Sequence, residues 1–167
     1  GPYGAGLHAE RLWQAGEIVA VSAPALAKDR ALRTPAGLAR QMLIRTASPA
    51  ARSSAKHPPS HADWPAWLAA AGVPLDKALR KALDGPVFSA SQLAIEAAMA
   101  GRGIALAPAV LVERDIQAGR LLRLFDVSVP DPNSFWIVCR ADRMTESRVR
   151  AFRRWIKREA GRDVAPK

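Results

Sequence analysis

Phe88-Ser-Ala-Ser-Gln-Leu-Ala-Ile-Glu-Ala-Ala-Met-Ala-Gly-Arg-Gly-Ile-Ala-Leu-Ala-Pro108 reads, in order, as a polar-opened helix, a glycine stop, a buried strand and a proline-started helix. Ser89 or Ser91 is placed to cap the first helix, and Leu93, Ala94, Ala97 and Ala98 give it a narrow apolar face suited to packing on a sheet. Gly101 ends that helix. Gly103 allows a close backbone approach before residues 104–107, an apolar run short enough for a buried parallel strand, and Pro108 suits the first turn of the next helix. Units of this kind align helix N-termini along one edge of a sheet, where unpaired N–H groups and the positive dipole end favour polar and anionic ligands. The stretch predicts a small-molecule sensor.

On the N-terminal side, residues 7–13 and 16–21 read as strands, preceded by a loop over 1–6. A short helix is expected from Ser22, and another where Thr34 caps and Pro35 takes the first helical position. Residues 42–46 read as a buried strand. Residues 47–63 contain no Leu, Ile, Val or Phe and read as a mobile surface loop. Asp63 can cap the helix that follows, whose Trp64, Trp67 and Leu68 share one face and favour core packing over ligand stacking. Gly72 ends it.

On the C-terminal side, Val87-Phe88 reads as a short strand, and residues 108–118 as a helix with Val110, Leu111 and Ile116 inward, closed by Gly119. Strands over 121–125 and 135–139 flank a turn at 130–134. Thr145 begins a closing helix whose Val149, Phe152, Trp155 and Ile156 form one apolar stripe. Strands alternating with helices indicate an α/β fold with mostly parallel pairing.

The chain has 167 residues, 49% hydrophobic and 24% charged, which is ordinary for a globular protein able to bury a core. Its net charge of +10, from 25 Lys and Arg against 15 Asp and Glu, raises the question of nucleic acid. Much of the excess sits in the closing helix, at Arg148, Arg150, Arg153, Arg154, Lys157 and Arg158, with no base-reading motif, so it reads as a solvated basic surface. One cysteine, Cys139, excludes an internal disulfide and reads as a small buried hydrophobe in an apolar strand. No run is apolar enough to span a membrane. Beginning at Gly1 rather than methionine, the sequence reads as a piece of a longer protein, so a missing signal peptide says little about the parent.

Six segments in order, 17–26, 64–72, 88–108, 118–125, 135–140 and 149–156, together resemble the effector-binding domain of LysR-type transcriptional regulators. The resemblance is closest to the branch holding the glycine-cleavage activator and the β-lactamase regulator. It implies an α/β, type 2 periplasmic-binding-protein-like fold of two lobes with hinge-crossing strands, here at 18–22 and 135–139, and an effector between the lobes. Residues 1–20 and 137–167 would belong to lobe I, incomplete at its N-terminus, and residues 21–136 to lobe II. The implied function is effector sensing in a cytoplasmic, homo-oligomeric transcription factor, whose winged helix-turn-helix lies outside this chain and supplies the DNA contact. An extracytoplasmic solute-binding protein of similar fold is the alternative.

The candidate effector residues are Ser22 and Ala23 at the first crossing, Arg45 and Thr46 ending a lobe II strand, Ser89, Ser91 and Gln92 at a helix start, and Phe135 at the second crossing. Relatives often carry tyrosine where this sequence has Phe135, which removes a hydroxyl from that contact. Arg45 could pair a carboxylate bidentately or face solvent. No metal, cofactor or catalytic role is expected. His57 and His61 have metal-ligand spacing for a helix, but Pro58 and Pro59 between them forbid one, and no Gly-x-Ser-x-Gly elbow, phosphate loop or His-Glu-x-x-His occurs.

Overall fold

Apolar side chains at both parities of residues 18–21 and 104–107 demand a sheet covered on both faces, because successive residues of a strand point to opposite sides. In the computed structural model, which describes residues 4–14, 16–47, 63–131 and 134–163, the chain separates into two units. One comprises Gly1–Ala15 with Asn133–Lys167, the other Gly16–Pro132. The expected crossing segments 18–22 and 135–139 thus each lie within a single unit.

The chain opens with β1 (Leu7–Gln14) in the first unit. The second unit begins with β2 (Glu17–Ser22), helix α1 (Pro24–Ala27), 3-10 turns at Arg30–Arg33 and Pro35–Arg40, and β3 (Leu43–Thr46). It continues with α2 (Trp64–Ala70), α3 (Lys77–Ala82), β4 (Val87–Phe88), α4 (Ser91–Met99), β5 (Ile104–Pro108), α5 (Ala109–Gln117) and β6 (Leu122–Pro130). β7 (Ser134–Arg140) and α6 (Ser147–Asp163) return to the first unit.

The second unit is a sheet of order β4-β3-β5-β2-β6 between two helical layers. Ile18, Ala20, Leu43 and Ile104 pack with Trp64, Trp67, Leu68 and Leu79 on one face. Val19, Val21, Ile44, Ala105 and Ala107 pack with Ala94, Ile95, Ala98 and Val112 on the other. Pairing is parallel between β3 and β4 and between β3 and β5, but antiparallel on both sides of β2. Four strands therefore share one direction and β2 alone opposes them, so the expectation of mostly parallel pairing is corrected. Burial patterns encode that a strand is covered, not which way it runs.

Side-chain caps separate what sequence read well from what it did not. Asp63 accepts the Ala66 N–H at 3.0 Å, as expected, and Asp76 accepts the Leu79 N–H at 2.8 Å to start α3, a helix the sequence reading missed. Thr34 makes no cap bond. The N-cap of α4 is Ala90, so neither Ser89 nor Ser91 caps it. Its buried face is Ala94, Ile95 and Ala98, whereas Leu93 is 45% exposed. In α5 only Val112 is fully buried, with Ile116 packed beside it, and Val110 and Leu111 face outward. Both corrections share a cause: neighbouring stripes of these helices are equally apolar, and contact with the sheet selects one. β6 also runs five residues beyond its expected end at Phe125, to Pro130, and its Val129 pairs with Ile18.

Gly103 behaves as the opening stretch predicts. Its φ is +155°, and a Cβ there would stand 2.4 Å from the carbonyl oxygen of Met42, just ahead of β3. Gly101 leaves α4 through a φ of +70°.

In the first unit β1 and β7 pair antiparallel, from Leu7 opposite Arg140 to Gln14 opposite Ser134. α6 lies beside β1. Val149 and Ile156 are half-buried and Ala160 is buried, while Phe152 and Trp155, with rings 5.7 Å apart, are about half exposed. Cys139 is half-buried rather than fully enclosed, its Sγ 3.2 Å from the Met144 Sδ. The expected loop at 47–63, apart from its end residues Ala47 and Asp63, and with it His57 and His61, falls outside the described residues, as does the centre of the 130–134 turn.

Candidate functional site

Because β3, β4, β5 and β6 run the same way, their carboxyl ends line one edge of the sheet. Beyond Thr46 the chain next builds α2, on the face of Ile18 and Leu43, whereas β4 and β5 lead into α4 and α5 on the opposite face. Ligands of open α/β sheets settle at such divergences, outside the carboxyl ends of the strands. The Trp64 indole N–H donates to the Ile44 carbonyl at 2.9 Å, tying the start of α2 to the end of β3.

Thr46 pairs with Phe88, and the Ala47 N–H donates to the Phe88 carbonyl at 2.7 Å, which brings Ser89 and the start of α4 alongside the end of β3. The Ala94 N–H reaches the Ala90 carbonyl at 3.4 Å. N–H groups earlier in that turn have no intrahelical acceptor, and among the described residues no side chain caps them. Among the described residues the hydroxyls of Ser89 and Ser91 make no hydrogen bond. Gln92 donates to Glu96 one turn on, at 3.3 Å. Arg45 is exposed, with its guanidinium 3.5 Å from the Gly85 carbonyl. The edge thus offers bare donors and two hydroxyls, a set suited to a polar or anionic group, while the Arg45 guanidinium leans toward Gly85, ahead of β4.

Ser22 and Ala23 do not join this group, which corrects the expectation that Ser22 stands near Thr46. In the antiparallel register Val21 faces Ala105, so Ser22 falls at the amino end of β5, level with Leu43 rather than Thr46. Ser22 is fully buried, its hydroxyl donating to the Ala23 carbonyl at 3.2 Å, and the Ala23 N–H donates to Ala98 at the far end of α4. Phe135 lies on β7 in the first unit, opposite Trp13. Glu17, by contrast, was not singled out by sequence and stands at the carboxyl edge, opposite Pro130. Its carboxyl is held below the ordinary range by a hydrogen bond from Ser128 and the nearby Arg123, whose Nη1 lies 2.8 Å away. No local signal links positions 106 residues apart.

With this geometry in place, comparison with known proteins is specific. A family model for the LysR substrate binding domain matches residues 2–161. The chain belongs to that family. This LysR domain is 30% identical over 151 residues to the glycine cleavage system transcriptional activator of Escherichia coli K12, covering 90% of the chain but 44% of the relative. It is 37% identical over 95 residues to the transcriptional activator AmpR of Rhodobacter capsulatus, covering 57% of the chain and 31% of that protein. The chain therefore spans less than half the length of these relatives.

Among solved structures, the effector domain of AmpR from Pseudomonas aeruginosa superposes with a TM-score of 0.73 at 28% identity, over 98% of the chain and 70% of that structure. The regulatory domain of CrgA from Neisseria meningitidis shares the fold, with a TM-score of 0.60 at 20% identity, over 95% of the chain and 71% of that one. The architecture is thus the α/β, type 2 periplasmic-binding-protein-like fold of LysR effector domains, and the relatives are transcriptional regulators, not an enzyme class. Among the described residues no three His, Cys, Asp or Glu cluster as metal ligands, and no helix is long and apolar enough to cross a membrane.

Proposed function

We propose that this chain is the sensing domain of a cytoplasmic, homo-oligomeric LysR-type regulator whose winged helix-turn-helix, outside this chain, binds DNA under its control. In this reading residues 16–132 act as the lobe that meets a small polar or anionic metabolite, and Thr46, Ser89, Ser91 and Gln92 contact it, with Arg45 alongside. One observation carries the reading: the uncapped start of α4 stands beside Thr46 at the divergence of β3 from β4. Effector charge would meet unpartnered N–H groups, and a carboxylate would gain about 0.3–1 kcal/mol from the helix dipole. Ser22 and Ala23 are left out because the register puts them at the other end of the sheet.

The test is a titration of the chain with amino acids and dicarboxylates, followed by backbone amide shifts. Saturable binding with the largest shifts at Ala47 and residues 89–93 is the expected outcome. Saturable binding that leaves those amides unmoved overturns the assignment.

A further inference from the structure

A cationic feature also lies in the first unit. Arg150, Arg153, Arg154 and Lys157, spaced i, i+3, i+4 and i+7 on α6, line an open groove of about 440 Å³. That spacing puts all four on one face of the helix. Like charges this close repel, and a solvated helix face ordinarily relieves the repulsion with interleaved acids.

Here the described relief comes from one carboxylate. Glu10 of β1 accepts from both Arg153 and Lys157. Among the described residues the buried Arg153 Nε–H has no acceptor. Arg150 and Arg154 make no ion pair among the described residues. The exposed Phe152 and Trp155 stand at other positions of the turn, so the groove wall is cationic rather than aromatic.

We propose that this groove binds a phosphate-rich anion. Guanidinium groups match phosphoryl oxygens with paired N–H donors, and four cations spread over seven residue steps span about 10 Å, room for more than one phosphoryl group. The ligand charge would satisfy Arg150 and Arg154 directly and compete with Glu10 for Arg153 and Lys157. The inference is independent of the effector site, which lies in the other unit.

The experiment is calorimetric titration of the chain with tripolyphosphate at an ionic strength fixed with chloride. Saturable one-to-one binding is expected, weakened at least tenfold in R150Q/R154Q and unchanged in R30Q/R33Q, which removes equal charge from the second unit. Glu10→Gln should tighten binding about threefold, a gain that an unfolded variant could not show. A duplex of arbitrary sequence forms the second arm. Duplex binding lost in R150Q/R154Q and displaced by tripolyphosphate assigns the groove to a phosphodiester backbone, while tripolyphosphate binding alone assigns it to a small polyphosphate. Equal weakening by both double variants, or no saturable binding of either probe, overturns the proposal.

Discussion

Ser91 stands in the first turn of α4 with its hydroxyl uncommitted, whereas Trp67 is fully enclosed between Trp64 and Phe125, with ring centroids 5.8 and 5.7 Å away. Among the described residues the indole N–H of Trp67 has no acceptor, so its contribution there is packing rather than hydrogen bonding. Trp67→Ala should cost about 3–5 kcal/mol, seen as an early thermal melt. Ser91→Ala should leave stability within about 0.5 kcal/mol and weaken the inducer response of the full-length regulator in a reporter assay. A Ser91→Ala variant that melts early with an unchanged response would show that the serine is structural. Gly103 makes the reverse case, where absence of a side chain is the requirement. Gly103→Ala should lose at least about 1–3 kcal/mol in urea unfolding from the backbone strain alone, because a Cβ also meets the Met42 carbonyl.

Across α4, the sheet decides a choice that periodicity leaves open. Leu93, Ala94, Ala97 and Ala98 form as good a stripe as Ala94, Ile95 and Ala98, yet contact with β3 and β5 buries Ile95 and leaves Leu93 outside. Ile95→Ala should therefore cost about 2–5 kcal/mol, while Leu93→Ala stays within about 0.5 kcal/mol, as compared by denaturant midpoints. The docking of α6 on β1 has a pH signature instead. Hydrogen bonds from Lys157 and then Arg153 hold the Glu10 carboxyl below its ordinary value of 4.5. Its contribution is thus fully present above pH 4.5 and is lost as pH falls from there through the lower folded value. Glu10→Gln should flatten that acid limb and cost at most about 1 kcal/mol at neutral pH, since the pair is partly exposed. Melts at stepped pH between neutrality and pH 3 check it.

At the scale of the whole molecule, the described part of the first unit is a two-stranded sheet, a 3-10 turn at Ala141–Arg143 and α6, and two-stranded sheets are at best marginal without cover. Phe135, Trp136 and Val138 of β7 and Phe152 and Trp155 of α6 are each more than a third exposed. Apolar surface of this extent promotes association, so the chain should sediment as a dimer or larger species, and F152S/W155S should shift it toward monomer. A wild-type monomer at high concentration would contradict this. The local sequence determined the buried strands, the glycine stops after α2, α4 and α5, the Asp63 cap and, through six ordered segments, the LysR family. Each of these depends on residues a few positions apart, where turn chemistry and alternation act. Only the tertiary structure decided the reversed direction of β2, the face of α4 that is buried, the separation of Ser22 from Thr46 and the meeting of Glu17 with Arg123. Those depend on which strand pairs with which and in what register, and pairing energy between distant segments leaves no mark in the local pattern of either one.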